Sequence, residues 1–168
     1  MIKLPKDVIA DPRQELLSTL LTANAHPLCE NSRNQVATFP LNAALTVILS
    51  QALAFNQAIR GIELIAPALA REQKGLDALN RKSGGASQLA RISRVLFMAA
   101  DGSTRFYRDC DSLLSRYSQR LLGCRLDLTA FTFGEALFGS PNLVRALLVI
   151  DKKAASRALL ALVPEKQQ

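Results

Sequence analysis

Residues 95–102 read VLFMAADG, a short apolar run that ends at an acidic residue and a glycine. Six apolar residues are the usual length of a buried strand and are too few for a helix. From 103 to about 121 the apolar residues instead recur at helical spacing. This stretch therefore predicts a buried strand that leads directly into an amphipathic helix.

The same alternation continues towards the C-terminus. Residues 124–128 predict a short strand, 129–138 a short helix, 143–150 the clearest strand and 152–162 a last helix. Residues 92–163 therefore alternate strand and helix, which is typical of a mostly parallel sheet covered by helices. We expect an α/β/α sandwich with a small, mostly parallel sheet of three to four strands.

The first half of the chain predicts helices. Apolar residues at helical spacing favour helices over 11–26, 40–57 and 62–79, the last of them kinked at Pro67. The sequence RKSGG at 81–85 combines charge with two glycines and is the clearest break in the chain.

Length and composition favour one domain. The chain has 168 residues, of which 49% are hydrophobic. That length is sufficient for one sizeable core and short for two. We treat 1–168 as a single domain, in which 1–80 is a helical N-terminal part and 81–168 is a basic β-α-β-α-β-α part.

The positive charge of the protein is confined to its second half. The formal net charge is +7, yet residues 1–80 contain as many acidic as basic side chains, seven of each. The excess lies in 81–168, where most basic residues are arginines. Such an asymmetry favours an anionic partner, with nucleic acid as the first candidate. A protein that is merely basic is the alternative.

The strongest candidate contact surface lies on the helix that follows residue 102. Four arginines there are spaced by three, eight and four residues, which places them along one flank, away from the apolar side. A guanidinium group donates two parallel hydrogen bonds to a phosphate. An ordinary solvated helix face is the alternative. The predicted anion-binding residues are Arg91, Arg94, Ser103, Thr104, Arg105, Arg108, Arg116 and Arg120.

The turn at 101–104 has a second interpretation. Its sequence, DGST, lies where a strand meets the N-terminus of a helix, a common place for phosphate groups to bind. The chain has no GxGxxG or Walker pattern, and a serine at a helix start is typically a cap. A small nucleotide- or phosphate-binding protein is therefore an alternative hypothesis.

The sequence lacks the usual signatures of catalytic and metal sites. The only histidine is His26, and Cys29, Cys110 and Cys124 have neither zinc-ligand nor disulfide-framework spacing. We expect a non-catalytic protein without cofactor or metal, although carboxylate catalysis stays open. Free thiols favour a reducing cytoplasm.

Residues 34–59 carry no charged side chain. The densest apolar part, 41–55, is shorter than the ~20 residues that span a bilayer, so we expect a buried helix and no membrane partner. A helix that is apolar all round also suits a subunit contact. A homo-oligomeric assembly or regulatory protein that associates through 36–70 is therefore another hypothesis.

Three segments resemble the family of ribosomal proteins that bind kink-turn RNA. Residues 98–101 (MAAD) are similar to the end of an apolar strand in that family, 133–139 (FGEALFG) to a helix with an LG-x-A-x-G-like sequence, and 143–150 to a second apolar strand. The resemblance spans 92–163 and implies an α/β/α sandwich. Where the family has a Gly-x-Asn-Glu RNA-binding motif, this chain reads GGASQ at 84–88, so no binding residue is carried over.

Together these observations give one leading hypothesis. We predict a non-catalytic cytoplasmic domain that binds RNA, or another polyanion, through an arginine-rich surface of its C-terminal half. The prediction depends on those guanidinium groups being exposed together rather than paired with carboxylates.

Overall fold

Residues 2–82 and 91–165, which the computed structural model describes, form seven helices and six strands. In chain order these are α1 (Lys6–Ile9), α2 (Gln14–Ala23), β1 (Ala25–Pro27), β2 (Gln35–Phe39), α3 (Ala43–Ala54), β3 (Ala58–Arg60), α4 (Ile62–Lys82), β4 (Arg94–Met98), α5 (Thr104–Arg116), β5 (Leu121–Leu126), α6 (Ala130–Phe138), β6 (Ala146–Val149) and α7 (Lys152–Ala161). The segment 84–88, compared above with an RNA-binding motif, lies outside the described residues, as does most of the break predicted at 81–85.

The strands form one mixed sheet in the order β1-β2-β5-β4-β6-β3. The three strands β2, β5 and β4 run parallel to one another. By contrast, β1 pairs antiparallel with β2, and β6 pairs antiparallel with β4 and β3. The predicted α/β class is confirmed, but the sheet is larger than three to four strands, and three of its five pairings are antiparallel.

Half of the strands come from the part of the chain that was predicted to be helical. The strands β1, β2 and β3 are only three to five residues long. A strand this short shows almost no alternation in sequence, and its partners come from distant residues, as in the pairing of Ala37 with Cys124. The helix expected over 11–26 therefore ends at Ala23, before β1 begins.

Two apolar cores cover the two faces of the sheet. Along β4, Val95 and Phe97 point into a core shared with α1, α2, α3, α6 and α7. Leu96 and Met98 point to the opposite face, into a core shared with α4 and α5. Because successive strand residues alternate in this way, the apolar run at 95–98 is buried on both sides.

The helix α5 begins where the sequence predicts and ends earlier. Its N-cap is Ser103, whose hydroxyl oxygen accepts a hydrogen bond from the amide of Phe106 at 3.1 Å. Its last helical residue is Arg116, whereas the spacing predicted a helix to about 121. The chain turns at Tyr117, which is buried beneath the helix end, and Arg120 therefore lies outside α5.

The uncharged helix α3 is buried on one side only. Leu45, Leu49 and Ala52 are buried, whereas 55% of Val47 and 70% of Phe55, at its C-terminal cap, are exposed. The expectation of a helix buried all round is therefore wrong. Within residues 2–82 and 91–165, no helix combines the length and apolar character needed to cross a membrane.

Candidate anion-binding surface

Three of the predicted arginines share the outer side of α5. The inner side of this helix packs against the sheet, and the side chains of Arg105, Arg108 and Arg116 are exposed on the other side. No acidic group within the described residues pairs with any of these three. The only carboxylate on the same outer side is that of Asp109. We call Arg105, Arg108 and Arg116 the α5 arginines.

Two other predicted arginines are engaged inside the protein. The two oxygens of the Glu72 carboxylate, on α4, each accept a hydrogen bond from an arginine. Nε of Arg94 donates to one at 2.9 Å, and Nη1 of Arg120 donates to the other at 3.1 Å. Only 16% and 15% of the two arginine side chains is exposed. Arg120 also donates to the side-chain oxygen of Gln73 at 3.2 Å. Arg94 and Arg120 therefore join α4 to the sheet, and they do not form part of an exposed surface.

The remaining predicted residues also have local structural roles. Arg91 is half-buried, and its Nη1 donates to the carbonyl of Leu4 at 3.3 Å. The hydroxyl of Ser103 caps α5, which is the alternative that the sequence favoured for it. Thr104, the first residue of α5, is exposed. The structure thus places Ser103 and Thr104 beside the α5 arginines at the start of the same helix, and it separates Arg91, Arg94 and Arg120 from them.

The turn at 101–104 lies at the position where parallel sheets commonly bind ligands. The strands β4 and β5 are adjacent and parallel, and the helices that follow them, α5 and α6, pack on opposite faces. This crevice is closed by the protein itself. The amide of Ala100 donates to the carbonyl of Leu128 at 2.8 Å, and the carboxylate of Asp101 accepts from the amide of Ala130 at 2.9 Å.

The polar groups of this turn are consequently in use. Asp101 occupies the N-terminus of α6, where a ligand anion would bind. The amide of Gly102 donates to the hydroxyl of Tyr107 at 3.1 Å. A nucleotide site at 101–104 therefore has little support from the geometry.

An open groove of about 500 Å³ adjoins this turn. It carries charges of both signs, so it does not select an anion. Within the described residues, no group of three or more potential ligand side chains is arranged to hold a metal ion. The residues that line the groove are Ile62, Glu63, Asp101, Ser103, Arg105, Phe106, Asp109 and Arg145.

Sequence reasoning missed two cationic side chains on the same face of the sheet. Arg71 and Lys74 of α4 are exposed, and α4 contributes to the same apolar core as α5 on that face. They were overlooked because the first half of the chain is neutral overall. Helical spacing could have found them, since Ile65, Leu69 and Glu72 recur at intervals of four and three on the inward side.

The cysteines are poorly suited to nucleophilic chemistry. Burial raises the pKa of the Cys124 thiol to about 12. Burial raises the pKa of the Cys110 thiol to about 12 as well, helped by the nearby carboxylates of Asp109 and Asp111. Because the thiolate is the reactive form, both groups are inert near neutral pH. Cys29 is half-buried, and all three thiols are free.

Together, the fold and the surface define an α/β domain with three unpaired guanidinium groups on the outer side of α5. No family model matches the chain, and no curated protein matches it. Among solved structures, it is similar to a protein of unknown function from Bacillus halodurans, with a TM-score of 0.51 and 16% sequence identity. The match covers 74% of this chain and 100% of that chain. At this identity the likeness shows the fold alone.

Proposed function

We propose that this protein is a non-catalytic, cytoplasmic domain that binds a polyanion, with RNA as the first candidate, through the outer faces of α5 and α4. The α5 arginines form the centre of this surface, and Arg71 and Lys74 extend it. Arg94 and Arg120 are not part of it because both are held by Glu72.

The observation that carries the proposal is the absence of ion pairs at the α5 arginines within the described part of the chain. Arg105 and Arg108 are three residues apart on this helix and repel each other, and Asp109 is the one carboxylate of α5 on their side. The same helix uses Asp111 to bind the amides of Arg33 and Asn34, so this carboxylate is not directed at the arginines. The arrangement fits a run of phosphates, which neutralises several cations at once.

Filter binding or fluorescence polarisation tests the proposal. Because residues 92–163 resemble kink-turn-binding ribosomal proteins, a structured RNA containing a kink-turn is the first probe, and a plain RNA hairpin is the second. If the protein makes three phosphate contacts, its affinity for RNA should fall by about 20- to 40-fold when the salt concentration rises from 50 to 200 mM. Changing Arg105, Arg108 and Arg116 together to Gln should remove most of that salt dependence.

A matched control exists on the opposite face of the sheet. Lys152, Lys153 and Arg157 of α7 are also exposed, and changing them to Gln lowers the net charge from +7 to +4, as the first variant does. RNA binding should survive this control change. Equal losses in both variants would mean that only net charge matters, and no binding by the wild type at low salt would remove the proposal.

A second candidate function, self-association, is favoured by the outer side of α3. Val47 and Phe55 are 55% and 70% exposed, and within the described residues α3 is the helix without a charged side chain. Two copies of a chain with net charge +7 repel each other. A two-fold contact brings together the same surface patch of both subunits. When that patch is an uncharged helix, the contact places no like charges next to each other.

Light scattering after size-exclusion chromatography tests this contact. The wild type should elute with the mass of two chains, and Val47→Glu should elute as a monomer with unchanged secondary structure, because Val47 is exposed in the single chain. Leu64→Glu is the control, since Leu64 of α4 is 64% exposed and lies outside α3. A monomeric wild type at about 100 µM would remove this candidate.

A further inference from the structure

A second polar cluster lies on the α5 side of the sheet, where β1, β2 and β5 are neighbours. Thr38 of β2 pairs in register with Arg125 of β5, so their side chains point to the same face. The hydroxyl of Thr38 lies 2.9 Å from Nε2 of His26, and Nδ1 of that ring lies 2.9 Å from the carbonyl of Asn24. His26, Thr38 and Arg125 are all partly buried. None of the three belongs to the surface proposed above.

The guanidinium group of Arg125 is incompletely satisfied. Its Nη2 donates to the carbonyl of Pro27 at 3.3 Å. Its central carbon, Cζ, lies 5.1 Å from the centre of the Tyr107 ring. Its Nε is buried and has no hydrogen-bond partner in the structure. Within the described residues, no carboxylate forms an ion pair with it.

A partly buried cation without a counter-charge is unfavourable. Two other half-buried arginines, Arg94 and Arg120, share the carboxylate of Glu72, whereas Arg91, like Arg125, donates to a backbone carbonyl. Around Arg125 lie instead the ring of Tyr107 and the carbonyl group of Pro27. The hydroxyl of Thr38, which contacts the His26 ring, is on the neighbouring strand. Such surroundings fix the orientation of a guanidinium group and leave its charge available to an external anion.

We infer that Arg125, flanked by Thr38 and His26, is the anchor of a binding site for an oxyanion of the phosphate class. Because Nε is buried, an anion would meet the other edge of the guanidinium group, where Nη1 and the second hydrogen of Nη2 are two parallel donors for two phosphate oxygens. Tyr107 and Pro27 hold that group in place. Free phosphate and a phosphate of a nucleic acid share this chemistry, and the inference does not depend on RNA binding.

Thermal unfolding of the full chain tests the inference, with sodium phosphate compared with sodium chloride at equal ionic strength. Bound phosphate should raise the wild-type Tm by about 2 °C or more above the chloride value. Arg125→Met keeps most of the apolar stem and removes the unsatisfied donor, so it should remain folded. This variant should weaken phosphate binding by at least about tenfold and abolish the phosphate-specific rise in Tm.

Three further measurements make each outcome decisive. If Arg125→Met does not fold, Arg125→Lys replaces it and should lose most of the phosphate effect, because an ammonium group cannot donate two parallel hydrogen bonds. A wild-type Tm that is the same in phosphate and chloride overturns the inference, as does a phosphate effect that Arg125→Met retains.

Once the phosphate effect is established, the RNA affinity of Arg125→Met identifies the source of the phosphate. A parallel loss of RNA affinity indicates a nucleic-acid phosphate, and unchanged RNA affinity indicates free phosphate. The α5 arginine variant should keep the phosphate effect, which separates this site from the proposed RNA surface.

Discussion

Arg120 and Glu72 form an ion pair with a nitrogen–oxygen distance of 3.1 Å, although 48 residues separate them along the chain. The other oxygen of the same carboxylate holds Arg94 at 2.9 Å. One acidic side chain thus joins α4 to the first residue of β4 and to the turn before β5. This contact changes the candidate surface, because it removes two guanidinium groups that the sequence had assigned to it.

Glu72→Gln should therefore lower stability without lowering RNA affinity. The change leaves two largely buried arginines without their counter-charge, and we expect a loss of about 1–3 kcal/mol, reduced by the partial exposure of Glu72. Urea unfolding measures the loss. Glu63→Gln, which removes an exposed carboxylate of the same helix, should change stability by no more than about 0.5 kcal/mol. A Glu72→Gln variant as stable as Glu63→Gln would contradict the shared ion pair.

Asp101→Ala should destabilise α6. The carboxylate accepts a hydrogen bond from the amide of Ala130 and lies at the positive end of the helix dipole. Losing it should cost about 0.5–2 kcal/mol in chemical denaturation. Asp127→Ala removes an exposed carboxylate from the neighbouring loop and serves as the control. If both variants were equally stable, the hydrogen bond between Asp101 and Ala130 would contribute nothing.

Gly134→Ala and Gly75→Ala should have opposite effects. A methyl group at Gly134 would collide with the backbone carbonyl of Asn142, and backbone atoms have little freedom to move away. No heavy atom lies within 4 Å of the corresponding position at Gly75, so alanine should there improve the helix by up to about 1 kcal/mol. We expect a clear fall in the Tm of Gly134→Ala and a small rise in that of Gly75→Ala. An unchanged Tm for Gly134→Ala would contradict the close approach of α6 to the chain at Asn142.

The three thiols should react with a thiol reagent at different rates. At pH 8 the native protein should expose only Cys29, since burial raises the pKa of both Cys110 and Cys124 to about 12. In denaturant all three should react. Cys29→Ser is the control and should remove the fast phase. A fast native phase that persists in this variant would mean that one of the buried thiols is accessible.

Acid should weaken the contact between α5 and the loop before β2. Partial burial acts to raise the pKa of Asp111, but hydrogen bonds from the amide of Arg33 and from the amide and side chain of Asn34 outweigh it and lower that pKa below its usual 3.8. A carboxyl group whose pKa is lower in the folded state stabilises the protein above its unfolded pKa. That stabilisation is lost as the pH falls through the folded pKa.

Asp111→Ala should therefore be less stable than the wild type at pH 6, and the difference should shrink between pH 4 and pH 2. Urea unfolding at several pH values measures it. Asp109→Ala provides a control on the same helix, because Asp109 is exposed and does not bind this loop in the described structure. A difference for Asp111→Ala that stays constant across this range would contradict the assigned hydrogen bonds.

Local patterns in the sequence determined the order of strands and helices in the second half of the chain, although not the antiparallel direction of β6. The apolar run at 95–98 and the helical spacing of α5 predicted β4 and its following helix, because burial of one side or both sides imposes a period on neighbouring residues. Ser103 was identified as a cap from the same local chemistry, and its hydroxyl accepts the amide of Phe106. The exposed position of the α5 arginines follows from this spacing as well.

Only the tertiary structure decided which cations are exposed and how large the sheet is. The pairing of Glu72 with Arg94 and Arg120 depends on elements far apart in sequence, so spacing along the chain cannot reveal it. The strands β1, β2 and β3 are stabilised by their partners in the sheet, and three to five residues carry too little pattern to show this alone. Charge and periodicity are properties of a segment, whereas counter-charges and strand partners are properties of the folded chain.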